Sequence, residues 1–357
     1  MKKRKVLAVL LCAAMTAALA VGCGGSKGSD SSDKSSDSSS SSDDVITVGF
    51  SQVGAESDWR TANSQSMKDT FSKENGYDLI FDDAQQKQEN QITAIRNFIQ
   101  QEVDYILLAP VTETGWDTVL QEAKDADIPV IIVDRMVDVS DDSLYTTWIG
   151  TDALCEGRKA AEWLNGFAEA KGIAASDIHI ADIQGTIGST AQIGRTKGLE
   201  EGVDKYGWDL VAQQTGEFTQ AKGQEVMESM LKQYKDINVV YCENDNEAFG
   251  AIDAIEAAGK TVGPDGDILV MSFDTTKAGI TDTQSGKIIL NTECNPLHGP
   301  RVEEIIKTLE SGGTPEKKAY VEEGVFAHGD EVPSVTVDDQ KYDVTKVTKE
   351  VVEGRAY

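Results

Sequence analysis

The strongest constraint on the fold is a rhythm that occurs twice. Apolar runs begin near residues 46, 77, 105 and 130, and again near 178, 210, 239 and 268. Each step is about 25–32 residues, the length of one strand plus one helix. Strands are expected at 46–50, 77–82, 105–109, 130–134 and 148–151, then at 178–183, 210–214, 239–241, 268–273 and 287–292. Val130-Ile131-Ile132-Val133 is apolar throughout, as suits a strand buried on both faces of a parallel sheet. Between strands, residues 89–101, 116–126 and 246–258 carry apolar side chains at helical spacing, with Gly259 as a stop. Two successive sets of one unit predict an α/β chain of two similar doubly wound parallel-sheet lobes.

The chain before residue 45 reads differently. Lys2, Lys3, Arg4 and Lys5 precede an apolar stretch at 6–21, too short for a confident membrane span. It ends in Ala20-Val21-Gly22-Cys23, which looks like a bacterial lipobox with Ala20 in the usual Leu position. Residues 1–22 are therefore expected to be a signal peptide and Cys23 a lipidation site. Residues 24–44 are Gly, Ser, Asp and Lys without an apolar residue, and read as a flexible leash. An exported protein anchored by lipid to the outer face of the cell membrane follows.

The net charge of −28 argues against nucleic acid and against an anionic ligand drawn in by the bulk field. Once Cys12 and Cys23 are set aside, Cys155, Cys242 and Cys294 remain, too few and too scattered for a disulfide framework. Three histidines with neither HxxH nor CxxC spacing give no metal signature. No GxGxxG follows the first strand, GxxxxGK[ST] and HExxH are absent, and GxSxG occurs only at 24–28, within the Gly/Ser leash and away from any strand-to-helix turn. No cofactor and no catalytic residue are expected.

In open parallel sheets, ligands sit beyond the carboxyl ends of the strands. The polar residues there are Glu56, Ser57, Asp58, Trp59 and Arg60, then Asp134 and Arg135, then Glu243, Asn244 and Asp245, then Asp274 and Glu293. Carboxylates accept hydroxyl hydrogens and guanidiniums donate to hydroxyl oxygens, so the set suits a polyhydroxylated ligand. Trp59 and Phe218 could stack on the apolar faces of a sugar ring. Other roles compete. Asp134-Arg135 could be a structural ion pair, Asn244-Asp245 a helix cap, Trp59 core, Arg60 surface, and Arg195 a partner of Glu200 or Glu201.

At these residues the chain resembles bacterial sugar-binding proteins of ABC transporters, of the ribose- and galactose-binding type (periplasmic binding protein type I). The likeness runs from about Ile46 onward. It is most specific in Glu56-Ser57-x-Trp59-Arg60 and in Gln85-Gln86-Lys87-Gln88-Glu89-Asn90-Gln91-Ile92. Asp134-Arg135 and Asn244-Asp245 continue it. Asp58 departs from it, standing where the resembled pattern has a small residue.

The resemblance implies two lobes joined by a three-segment hinge. Residues 45–152 plus 294–323 would form the N-terminal lobe, and 153–293 plus 324–357 the C-terminal lobe. It maps ligand contacts onto Glu56, Ser57, Asp58, Trp59, Arg60, Asp134, Arg135, Arg195, Asn244 and Asp274, with Phe218 and Glu293 less directly. It implies a monomer that captures a monosaccharide, galactofuranose or a similar furanose foremost, and delivers it to a membrane permease powered by a separate ATPase. The alternative is a receptor of the same fold feeding a membrane sensor or chemoreceptor.

Overall fold

The computed structural model describes residues 45–357. The export segment, Cys23 and the leash lie outside the described residues.

The first sheet is built from β1 (Ile46–Gln52), β2 (Tyr77–Asp83), β3 (Tyr105–Leu108), β4 (Val130–Val133) and β5 (Thr147–Gly150), with α1 (Asp58–Thr70), α2 (Gln88–Gln100) and α3 (Asp117–Asp125) in the crossovers. The chain then passes through α4 (Ala153–Lys171) into the second set. This comprises β6 (His179–Gln184), α5 (Thr190–Tyr206), β7 (Asp209–Thr215), α6 (Gln220–Gln233), β8 (Val239–Cys242), α7 (Asp245–Ala257), β9 (Leu269–Asp274), α8 (Lys277–Ser285) and β10 (Leu290–Glu293). It returns with α9 (Gly299–Glu310) and β11 (Lys318–Tyr320), and ends in β12 (Val325–Ala327), β13 (Ser334–Val337), β14 (Gln340–Lys346) and α10 (Lys349–Gly354).

The strand orders are β11-β5-β4-β3-β1-β2 and β13-β14-β12-β10-β9-β8-β6-β7. In each half the first strand pairs with both the second and the third, so both lobes share one doubly wound order with a switch point beside that first strand. The sheet changes lie between β5 and β6, between β10 and β11, and between β11 and β12.

Period-two alternation explains the core. Val130 and Ile132 of β4 enter one apolar cluster, Ile131 and Val133 the cluster on the opposite face. Val239 and Tyr241 of β8 divide from Val240 and Cys242 in the same way. Each such buried aliphatic contributes about 1.5–3 kcal/mol.

One helix contact matters for the site. Gly194, Gly198 and Gly202 line the face of α5 that touches α4. A Cβ on Gly198 would lie 2.5 Å from the Gly157 carbonyl carbon, so only glycine lets these backbones meet. That approach brings Arg195 of α5 against Glu156 of α4.

Candidate functional site

Helix caps aim at the space between the lobes. Ser57, Ser189 and Asn244 cap α1, α5 and α7 by accepting the amides of Arg60, Gln192 and Glu247. Each of these helices begins just after a strand, so its positive N-terminus faces the carboxyl end of its sheet.

The two lobes repeat one device there. In the first, Arg60 NH2 donates to Asp134 Oδ2 at 2.7 Å. In the second, Arg195 NH2 reaches Asp274 Oδ1 at 3.5 Å. Each arginine stands on the helix after the lobe's first strand, and each aspartate at the end of its fourth. Both aspartates are left-handed, with φ of 66° and 99°. Non-glycine residues held this way cost about 1–3 kcal/mol each and concentrate at functional sites. The second strands match as well, since Gln85-Gln86 and Glu217-Phe218 are left-handed pairs directly after β2 and just beyond β7.

Together these residues line a hollow of about 290 Å³, walled by Glu56, Ser57, Trp59, Arg60, Asp134, Arg135, Arg195, Phe218, Asn244 and Asp274, with Ala191 and Cys294. Its charges are mutually paired. Arg60 Nε donates to Glu56 Oε1 at 3.0 Å and NH1 to Gln52 Oε1 at 3.3 Å. Arg135 NH1 donates to the Val111 carbonyl at 2.8 Å, and NH2 lies 3.6 Å from Glu56 Oε1. Arg195 Nε donates to Glu156 Oε2 at 2.9 Å and NH1 to the Glu243 carbonyl.

Burial sets the electrostatics. It works against the Arg60 charge, but Asp134 and Glu56 outweigh it and the pKa rises. Burial and the neighbouring Arg60 pull Arg135 down to about 10 despite Glu56 and Asp134. Burial raises Asp134, yet Arg60 and Arg135 hold it below the usual carboxylate range. At Asp274 burial prevails over Arg195 and pushes the carboxyl well up. The Oε2 atom of Glu56 is buried and has no partner. Such an acceptor costs about 1–3 kcal/mol unless something donates to it.

The competing roles resolve residue by residue. Asp134 and Arg60 are an ion pair and also line the hollow. Asn244 caps α7 and lines the hollow. Asp245 is consumed by Ser272, Thr276 and Asn291. Arg195 pairs with Glu156 and Asp274, while Glu201 pairs with Arg158. Trp59 is buried, with its Nε1 donating to the Cys294 carbonyl at 2.7 Å and the Arg60 guanidinium 4.6 Å from its ring centre.

Two of the expected contacts stand outside the wall. Asp58 is exposed, and its amide donates to Asn246 Oδ1 across the lobes at 3.0 Å. Glu293 is spent at the hinge, where Oε1 accepts from Arg355 and Tyr357 and Oε2 from the Gly324 amide. The next residue, Cys294, lines the hollow instead; successive side chains of an extended chain point opposite ways. Cys294 and Ala191 carry little signal in sequence, being small and uncharged.

The donor atoms of Glu156, Cys294 and Glu323 lie within 4.8 Å of one another, a spacing a metal ion could bridge. The Arg195 guanidinium already engages Glu156, and Thr151 and the Asn295 amide engage Glu323, both at 2.7 Å. These contacts tie the three crossings to one another. Cys155, Cys242 and Cys294 are free thiols.

Comparison with known proteins agrees with this geometry. The galactofuranose-binding protein of Escherichia coli (strain K12) is 41% identical over 277 residues, 76% of this chain and 85% of that protein. A Mycobacterium smegmatis protein solved in complex with β-D-fucofuranose matches with a TM-score of 0.76 at 43% identity, covering 80% of this chain and 92% of that one. The periplasmic component of the arabinose ABC transporter from Shewanella sp. ANA-3, bound to α- and β-L-arabinofuranose, matches with a TM-score of 0.74 at 43% identity, covering 80% and 93%. All three bind a sugar, and one is a component of an ABC transporter. With residues 48–290 matching the model of the periplasmic binding protein domain, the chain belongs to that family.

Proposed function

We propose that this protein captures a monosaccharide in its five-membered ring form outside the cytoplasm and hands it to an ABC importer. The observation that carries the reading is the hollow itself. Carboxylates and guanidiniums from both lobes neutralise one another there, yet still offer hydrogen-bonding atoms beside Trp59 and Phe218. A neutral ring with several hydroxyls satisfies such atoms without adding charge. Ligand contacts from both lobes would favour the closed arrangement, which is how capture becomes a signal to a permease. The furanose preference draws support from the three relatives named above: a galactofuranose-binding protein and two proteins solved with a fucofuranose and an arabinofuranose. The site wall assigned to the ligand is Glu56, Ser57, Trp59, Arg60, Asp134, Arg135, Arg195, Phe218, Asn244 and Asp274.

Among the described residues no helix is long and apolar enough to cross a membrane. Attachment through lipid at Cys23 fits the lipobox-like segment, with a monomeric head on the leash. Labelling with a radioactive fatty acid, lost in Cys23→Ala, would test it.

The decisive experiment for capture is a melting panel of the purified head with D-galactose, D-fucose, L-arabinose, D-ribose and D-fructose. D-galactose, D-fucose or L-arabinose should raise the melting temperature, and carbon-13 NMR of bound labelled sugar should show the five-membered ring. No shift with any sugar, or a bound six-membered ring, would refute the reading.

A further inference from the structure

Phe218 is the aromatic wall of the second lobe, and its placement is costly. Glu217 and Phe218 are consecutive left-handed residues with φ of 57° and 61°. Neither is a residue that favours this region. Something must hold them there, and the surrounding contacts identify it.

The Phe218 amide donates to Glu247 Oε1 at 2.8 Å. Glu247 lies in the first turn of α7 and is fully buried. Its carboxyl reaches the loop because two glycines make way. A Cβ on Gly216 would lie 2.7 Å from Glu247 Oε1, and one on Gly223 would lie 2.9 Å from the Glu247 Cα. A third glycine admits the ring, since a Cβ on Gly185 would lie 1.9 Å from Phe218 Cζ. Gly185 is itself pinned, with its amide donating to Glu243 Oε2 at 2.8 Å and its carbonyl accepting from Thr215 Oγ1 at 2.7 Å. The Phe218 carbonyl accepts from Asn244 Nδ2 at 3.1 Å. The ring so held faces Arg135 of the other lobe, 5.3 Å from guanidinium carbon to ring centre.

We infer that Glu247 is a positioning residue for the ligand: its carboxyl pins the Phe218 amide and thereby sets the ring that closes the site against Arg135. Glu247 is not itself a wall of the hollow, and its carboxyl acts through Phe218. Burial pushes its carboxyl well up, and a glutamine amide keeps an oxygen acceptor of the same shape at Oε1.

The affinity readout rests on the sugar-capture reading; a second readout does not. Glu247→Met keeps the length and removes the acceptor, and Glu247→Gln keeps an acceptor. Amide hydrogen exchange of Phe218 should quicken at least tenfold in Glu247→Met and stay slow in Glu247→Gln. Affinity for L-arabinose should fall about tenfold in Glu247→Met, recover in Glu247→Gln, and show no further loss when Glu247→Met is added to Phe218→Ala. Unchanged exchange at Phe218 in Glu247→Met, or a full additional loss in the Phe218→Ala background, would overturn the assignment. If L-arabinose fails to bind even the wild-type protein, capture of that sugar is what has failed, and the exchange rates alone decide the role of Glu247. Should Glu247→Met not fold, Gly216→Ala displaces the same carboxyl and is read the same way.

Discussion

Thr190 Oγ1 donates to Glu113 Oε1 at 2.6 Å and accepts from the Met136 amide at 2.7 Å. One hydroxyl of the second lobe is thus tied twice to the first, at the rim of the hollow. The Glu113 amide adds a third tie, donating to the Gly188 carbonyl at 3.0 Å. These contacts exist only when the lobes are together. Thr190→Val keeps the shape and removes both side-chain bonds, each worth about 0.5–1.5 kcal/mol. Sugar affinity should fall about tenfold through faster dissociation, with the order of preferred sugars unchanged. Stopped-flow binding would check it, and a wild-type dissociation rate would sink the idea.

Arg135 carries a heavier load. It neutralises Glu56 and Asp134, fixes the Val111 carbonyl and faces Phe218. Arg135→Ala leaves two buried carboxylates with Arg60 alone. Removing one partner of such a group costs about 2–5 kcal/mol in binding. The sugar-induced rise in melting temperature should vanish while the circular dichroism of the unliganded protein is kept. A retained shift would remove Arg135 from the site.

Much of this was readable beforehand, for a physical reason. β1 to β10 overlap the expected runs, most closely where a strand such as β4 is apolar throughout and buried on both faces, while β2 and β7 are only partly buried and β10 begins three residues later than expected. The last strands, β11 to β14, of which β11 and β13 are sheet edges, were not read. They are short or largely exposed, and the β13–β14 turn uses Asp338-Asp339 in left-handed conformations without the usual glycine. Within the hollow, strand-end acids were legible because strand ends are where such sheets bind. The partnership of Arg195 with Glu156 was not, since it depends on a glycine contact between two helices. Glu247 was missed because a helical glutamate reads as surface unless the loop above it is seen.

Asp182 predicts a pH effect. It is fully buried, its Oδ1 has no partner, and Oδ2 accepts from Gln213 at 3.2 Å. Burial raises its pKa to about 8, with Gln213 opposing and Glu200 adding to the rise. In the unfolded chain an aspartate titrates near ~3.9. Between those values the folded state holds a proton the unfolded state has lost, so this contribution to stability is full below pH ~4 and declines as pH rises to about 8. The steepest slope for one proton is about 1.4 kcal/mol per pH unit. Asp182→Asn cannot ionise, so its melting temperature should fall less than that of the wild type between pH 5 and 8. Parallel curves for the two proteins would refute it.

Gly185 offers a test of ring placement that alters no polar group. Its backbone φ lies outside the left-handed region, so alanine there is not strained by the chain itself. The three atoms nearest to the new Cβ all belong to the Phe218 ring, the closest at 1.9 Å. Real Cβ contacts do not approach so closely, and the ring must leave its position. Overpacking of this kind typically costs about 1–3 kcal/mol. Gly185→Ala should therefore lower sugar affinity by at least tenfold with a modest drop in melting temperature. In Phe218→Ala the obstacle is gone, and the same alanine should cost nothing more. Titration calorimetry on the four proteins of this cycle measures the coupling directly. Equal losses with and without the ring would mean that Gly185 matters for its own backbone and not for the space it leaves to Phe218.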